Sequence, residues 1–263
     1  MEYFGLAASF VMGILLGLIG GGGSILTVPI FVYLFHIDPI QSTIYSLFVV
    51  GLTSMVGAYS HFRKGNINIK AALIFGMPSI AGVLITRKFI LPIIPDPVIS
   101  SVSLELSKGT AILILFAVLM ISASYSMIRN KTIIRQGPVS NNPLGLIILE
   151  GLIVGGLTGL VGAGGGFLII PALVILSGIP MKQAVGTSLL IITIKSLSGF
   201  ISDLPTTSHI DYHFLIIFSL FAIAGILTGS NLSVMVDSKK LKPAFGWFVL
   251  VTGIAIIFNE LWH

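Results

Sequence analysis

Along the chain, long apolar stretches alternate with short polar breaks, and the stretches come in two sizes. Uninterrupted runs cover about 40–61, 69–91, 110–128, 183–202, 212–231 and 243–259. A membrane-spanning helix needs about 20 apolar residues, so each run predicts one crossing. Two further stretches, about 4–36 and 144–178, are too long for one simple helix, and glycines interrupt each near its middle. The pieces beside the first break are about 16 and 13 residues, or roughly 24 Å and 20 Å at 1.5 Å per residue. Both fall short of a hydrocarbon core of roughly 30 Å. The pattern predicts broken helices, either re-entrant hairpins or paired short crossings.

The two broken stretches are related. GLIGGGGSILTVP at 17–29 aligns without gaps with GLVGAGGGFLIIP at 159–171, with seven of thirteen positions identical. The same offset of 142 pairs DPIQSTIYSL at 38–47 with PMKQAVGTSL at 180–189, matching Gln41 to Gln183 and Ser46 to Ser188. With a one-residue shift, Ala81-Gly82 matches Ala224-Gly225. The chain therefore reads as two transmembrane repeats, 1–128 and 144–263, joined by a basic linker at 129–143.

Charge placement gives the relation between the halves, because Lys and Arg concentrate on the cytoplasmic side. The linker carries Arg129, Lys131 and Arg135, and the loop near 65 carries Arg63, Lys64 and Lys70. Its counterpart in the second half carries Asp203 and Asp211 and no base, so equivalent loops lie on opposite faces. This is an inverted repeat, each half a glycine-broken helical hairpin followed by three spans. Ten bases then lie inside (those six with Lys182, Lys239, Lys240 and Lys242), while Arg87, Lys88 and Lys108 lie outside. Both termini are external, and the proline-rich stretch 92–109 is an outside loop without a counterpart.

Composition agrees. Only 9% of the 263 residues are charged and 55% are apolar, with mean hydropathy +1.08. A typical soluble domain has roughly 25% charged residues, so the fold class is an all-α polytopic membrane protein. The absence of cysteine excludes disulfides and thiolate metal sites. The net charge of +5 is scattered between apolar spans, which is not a nucleic-acid pattern. No cofactor, metal site or catalytic residue is expected. No Gly-Lys-Ser/Thr follows either glycine run, so a nucleotide P-loop is rejected. The N-terminus lacks a basic n-region and does not read as a cleaved signal.

The glycine run followed by proline in each half, the KQAVGTSL stretch at 182–189 and the overall repeat resemble the sulfite exporter TauE/SafE family of prokaryotic membrane proteins. The resemblance covers essentially the whole chain. It implies a multi-pass transporter of the prokaryotic inner membrane that exports sulfur-containing anions such as sulfite or an organosulfonate. The first half departs from the motif, with QSTIYSL where the second has QAVGTSL.

Candidate site residues follow from where polar chemistry meets the breaks. Gly21, Gly22, Gly23 and Ser24, with Gly164, Gly165 and Gly166, begin helices whose N-terminal N–H groups and positive dipole ends favour anions at membrane depth. Glycines that only let helices pack are the competing reading, and Gly13/Gly17 and Gly151/Gly155/Gly159 have that spacing. Gln41, Ser46, Gln183, Thr187 and Ser188 offer hydroxyl and amide donors to an oxyanion, or bond their own helix carbonyls instead. Lys195 lies deep in LLIITIKSLSGF, either facing a substrate anion or snorkelling outward. Glu150 is a candidate for a coupling proton or for capping near the inner face. His61, Asp203, His209 and His213 fall at span ends and read as solvated.

The leading functional expectation is a non-enzymatic secondary transporter of a small anion, with a coupling proton or ion and the bilayer as partners. An anion channel and a membrane assembly factor are the alternatives. The topology makes a direct prediction in a chain without native cysteine. The variant His209→Cys should react with an impermeant thiol reagent from outside the cell only, and labelling from the cytoplasm would refute the inversion.

Overall fold

The computed structural model describes residues 2–101, 104–128, 144–162, 164–176, 179–206, 210–232 and 238–262. The first half contains α1 (Glu2–Ile19), α2 (Gly23–Leu34), α3 (Pro39–Arg63), α4 (Ile69–Ile93) and α5 (Lys108–Ile128). The second repeats the order with α6 (Leu144–Val161), α7 (Gly166–Leu176), α8 (Met181–Asp203), α9 (Tyr212–Leu232) and α10 (Ser238–Trp262). The fold is all-α apart from a two-stranded antiparallel ribbon in the 92–109 stretch, β1 (Ile99–Ser101) and β2 (Leu104–Leu106). The linker at 129–143 lies outside the described residues.

Local chemistry sets the breaks. Gly20 and Gly21 end α1 in left-handed backbone (φ 68° and 95°), where a side chain would be strained. The chain restarts as a tight 3₁₀ turn at Gly22–Leu26, and Pro29, which has no N–H to donate, precedes a π turn at Ile30–Leu34. The result is a folded-back hairpin. Gly23 lies against the backbone of Met12 and Leu16, and the Phe35 ring lies against Gly5 at the other end. At α3, Asp38 caps the helix by accepting the Ile40 and Gln41 N–H groups at 2.9 and 3.1 Å, with Pro39 at the first position.

Helices α3, α4, α5, α8 and α9 are long and apolar enough to cross a membrane. The majority of α3 and α8 is buried, whereas α4, α5 and α9 leave over half of their spans uncovered. That places α3 and α8 at the centre. Leu73 and Met77 on α4, Ile216 and Leu220 on α9, and Val251 and Phe258 on α10 are exposed, as a lipid-facing surface requires.

The helices pair in a two-fold pattern. α1 packs along α9 and, equivalently, α6 packs along α4; α3 meets α8 and α5 meets α10. The equivalent helices α3 and α8 run antiparallel, since Leu47 meets Gly199 while His61 meets Gly186 at the other end. Hydrogen bonds repeat the relation. The Asp211 N–H donates to the Tyr45 hydroxyl (3.0 Å), and at the opposite face the Asn68 N–H donates to the Thr187 hydroxyl (2.9 Å). Asn68 and Asp211 each cap the helix that follows. This geometry is consistent with the inverted repeat expected from the loop charges.

Small residues make the long contacts. Gly13 and Gly17 face Ala222, Gly225 and Gly229, and Gly82 faces Gly155 and Gly156, with backbone against backbone. A Cβ added at Gly17 would sit 2.7 Å from the Ser230 nitrogen. We predict that Gly225→Leu lowers the thermal unfolding midpoint of purified protein sharply, because overpacking costs about 1–3 kcal/mol or more where backbone cannot move. Gly145→Ala, with nothing within 4 Å of the new Cβ, should be neutral or slightly stabilising.

Candidate functional site

The hairpins meet at their tips. Gly21 touches Gly166, such that a Cβ at Gly21 would lie 2.6 Å from the Gly166 Cα. Each tip rests on the central helix of the other half or of its own. Gly20 lies against Val185 of α8, and Gly162 lies against Thr43 of α3. Gly164 and Gly165 have left-handed backbone (φ 63° and 69°) that turns the chain into α7 at Gly166. Gly22 opens the 3₁₀ turn of the first hairpin and Gly23 packs on α1. The predicted break residues therefore converge, between α3 and α8.

Lys195 completes this place. Its side chain is fully buried and its ammonium donates to the Thr158 hydroxyl at 2.8 Å. The Nζ lies 2.9 Å from where a Gly165 Cβ would be, so the charge is held against the second tip. Thr158 in turn donates to the Val154 carbonyl at 2.7 Å, which leaves its lone pairs to the ammonium. No acidic residue among the described residues pairs with Lys195. The snorkelling alternative is set aside by this burial.

α3 and α8 also carry fully buried hydroxyls, of which the sequence singles out Ser46 but not Thr53, Ser54 or Ser196. Ser46, Thr53 and Ser54 on α3 and Ser196 on α8 are fully buried, and their oxygens have no hydrogen-bond partner among the described residues. The Ser196 oxygen lies 3.5 Å from the Cβ position of Gly164. The signal was available: Ser54 and Ser196 are identical at the repeat offset of 142, one position beyond the Thr53/Lys195 pair. Their spacing of eight from Ser46 and Ser188 puts them on the same helix face.

Other predicted residues have local partners. Ser24 donates to the Gly21 carbonyl at 2.7 Å, inside the first tip. Ser188 donates to Val185 at 2.8 Å and reaches the Gly20 carbonyl at 3.3 Å. Thr187 holds the Asn68 N–H, as described above. Gln41 donates to Tyr45 at 3.0 Å near the start of α3, and Gln183 is half-buried near the start of α8. Glu150 lies on α6, two turns or about 12 Å from Thr158 toward the start of the helix at helical rise, with a buried Oε2 lacking a described partner.

Two span-end residues differ from expectation. Asp203 is 5% exposed and ion-paired to Arg87 at 2.6 Å, and His61 is 7% exposed. Neither is solvated, because the ends of α3 and α8 are covered by helices of the opposite half. His213 is exposed, and His209 lies outside the described residues.

The profile of the family described as "Sulfite exporter TauE/SafE" matches residues 5–256. The chain belongs to the TauE/SafE family. "Probable membrane transporter protein YdhB" of Bacillus subtilis (strain 168) is 29% identical over 250 residues, covering 95% of this chain and 97% of the relative. "Probable membrane transporter protein MJ0441" of Methanocaldococcus jannaschii is 29% identical over 244 residues, covering 89% and 85%. A "Probable membrane transporter protein" of Xylella fastidiosa (strain 9a5c) is 27% identical over 258 residues, covering 95% and 92%. No solved structure matches the chain. This TauE/SafE protein is a multi-pass membrane transporter, with a buried cation where its two broken helices meet.

The burial of Lys195 has a measurable consequence. Removing a buried, acid-free charge by Lys195→Met should leave the thermal midpoint of the purified protein unchanged or higher. Thr158→Val should lower it, since it leaves the ammonium without its acceptor at a cost of about 1–3 kcal/mol.

Proposed function

We propose that the protein is a secondary transporter that exports a small sulfur oxyanion or organosulfonate, and that the anion binds between the hairpin tips beside Lys195. The observation that carries this reading is the fully buried ammonium with a hydroxyl partner and no acid among the described residues. An uncompensated charge in a membrane interior is costly, and an anionic substrate supplies the missing counter-charge. Sulfite, thiosulfate and sulfonates are tetrahedral or pyramidal oxyanions with several acceptor oxygens. Ser46, Thr53, Ser54 and Ser196 offer donors of matching kind, and the first turns of α2 and α7 add dipole ends of the favourable sign.

Alternating access follows from the two-fold arrangement. Each half holds one hairpin and one central helix, so rocking one half against the other exposes the same tips to either face in turn. Glu150, inward of Thr158 on the same helix, is assigned to a coupling proton. Gln183, Thr187 and Ser188 line the inner approach, and Gln41 the outer one. The two transmembrane repeats, 1–128 and 144–263, are the rocking units in this scheme.

Equilibrium binding of sulfite, thiosulfate, sulfate, sulfoacetate and taurine to purified protein tests the reading. At least one sulfur anion should bind, and Lys195→Met and Ser196→Ala should weaken it by tenfold or more while the protein remains folded. Proteoliposomes should show saturable flux of the same anion with counter-transport. Single-channel currents in its place would establish the channel alternative, and absence of both binding and flux would leave an assembly role.

A further inference from the structure

A cavity of about 890 Å³ lies at the expected outer face, lined among others by Gln41 and Ile44 of α3, Arg87, Lys88 and Lys108 of the α4–α5 region, and Ser202 and Asp203 of α8. It is separate from the tips. Along α3 the cavity residues stop at Ile44, whereas Thr53 and Ser54 lie more than two turns deeper. Along α8 they stop at Ile201, and Lys195 lies about 9 Å further in at helical rise. Between the two levels sits an apolar cluster of Ile44, Leu47 and Phe200, with the Phe200 ring 5.0 Å from that of Phe48. The cavity is thus an outer chamber closed off from the central place by hydrophobic side chains.

Arg87 is the residue this chamber leaves unexplained. It sits in the π turn Thr86–Ile90 of α4, and its side chain is buried, with Nη1 donating to Asp203 at 2.6 Å. Its Nε and Nη2 have no acceptor among the described residues. Those two nitrogens form one edge of the guanidinium fork, the edge that pairs two oxygens of a single oxyanion side by side. Three bases and two acids, Asp38 and Asp203, line the chamber, and the acids are engaged: Asp38 caps α3 and Asp203 holds the other edge of Arg87. Lys108 donates to the Leu91 carbonyl, and Lys88 is exposed at the rim.

We propose that this outer chamber is a second anion-binding site, for a small sulfonate or sulfite-like oxyanion that draws the Nε–Nη2 edge of Arg87, covered in this state, into the chamber and is held by it. Arg87 belongs to the first half and Asp203 to the second, so the ion pair also ties α4 to α8 across the halves. An anion in the chamber competes with Asp203 for the guanidinium and loosens that tie. The device is one-sided: the repeat equivalents of Arg87 and Asp203 are Ser230 and His61, which form no ion pair at the inner face. The site serves the exporter reading above as a release site between the central place and the outside, and it rests on that reading for its ligand.

The test uses full-length protein in lipid nanodiscs carrying Ser202→Cys, labelled with an impermeant maleimide in the presence of sulfoacetate. Sulfoacetate should slow labelling at least tenfold, and should do so equally in the Lys195→Met background, where the central place is disabled. Arg87→Gln combined with Asp203→Asn removes both charges together, so no lone buried charge is left, and should abolish protection while central binding persists. Asp203→Asn alone should lower the sulfoacetate concentration that gives half-protection by tenfold or more, since Arg87 no longer has a resident carboxylate. If protection is absent while Lys195-dependent binding remains, the chamber is a water-filled vestibule and this inference falls alone. If neither site binds sulfoacetate or sulfite, both it and the transporter reading fall. Protection unaffected by the Arg87→Gln/Asp203→Asn pair would remove Arg87 from the site.

Discussion

A helix that stops part-way across hydrocarbon leaves peptide groups without partners, each at a cost of several kcal/mol, and this chain stops twice. Such breaks survive only if protein covers them. Here each covers the other: the Gly21 and Gly166 backbones touch, and the tips are seated on Val185 and Thr43 of the central helices. The remainder of the fold follows from holding two short hairpins tip to tip. α3 and α8 must be buried to flank them. α1 must lie against α9 and α6 against α4 to hold the hairpin stems, and backbone contact there requires glycine on both sides.

The same cover creates the chemistry. A protein-lined place with helix starts and hydroxyls is one of the few settings in which a lysine can be kept inside a bilayer. Lys195 is kept there by Thr158 and faces Gly165, so the cation and the breaks act as one unit. The symmetry is not complete. Thr53 stands where Lys195 would repeat, and Ser230 and His61 stand where Arg87 and Asp203 would. A two-fold scaffold therefore carries a one-sided set of charges, which gives its two faces different electrostatics without different folds.

Two positions show what the paired halves do with polar side chains at helix ends. Thr187 lies in the stretch most similar to the family, yet its oxygen accepts the Asn68 N–H. Its repeat equivalent Tyr45 does the same for Asp211 with a different side chain. A hydroxyl at this position ties the start of the fourth or ninth helix to a central one in either half. Asp203 shows the reverse case. Read at a span end it belonged to water, but it is covered by the other half and pairs there with Arg87.

What the sequence determined by itself was whatever depends on period, length and sign of charge. The spans, the paired breaks at Gly20–Gly23 and Gly162–Gly166 and the internal repeat are local or additive properties, legible in one dimension. The sequence also marked Lys195, because a charge in an apolar run is conspicuous without any fold. It could not decide which of many serines and threonines face one another, since a hydroxyl reads alike on a lipid face, in a helix-to-carbonyl bond or in a site. Tertiary structure alone brought Ser196 against the second hairpin tip, set Thr158 under Lys195 and joined Arg87 to Asp203 across 116 residues of chain. Those contacts arise where antiparallel helices of the two halves cross, and only their packing fixes which faces meet.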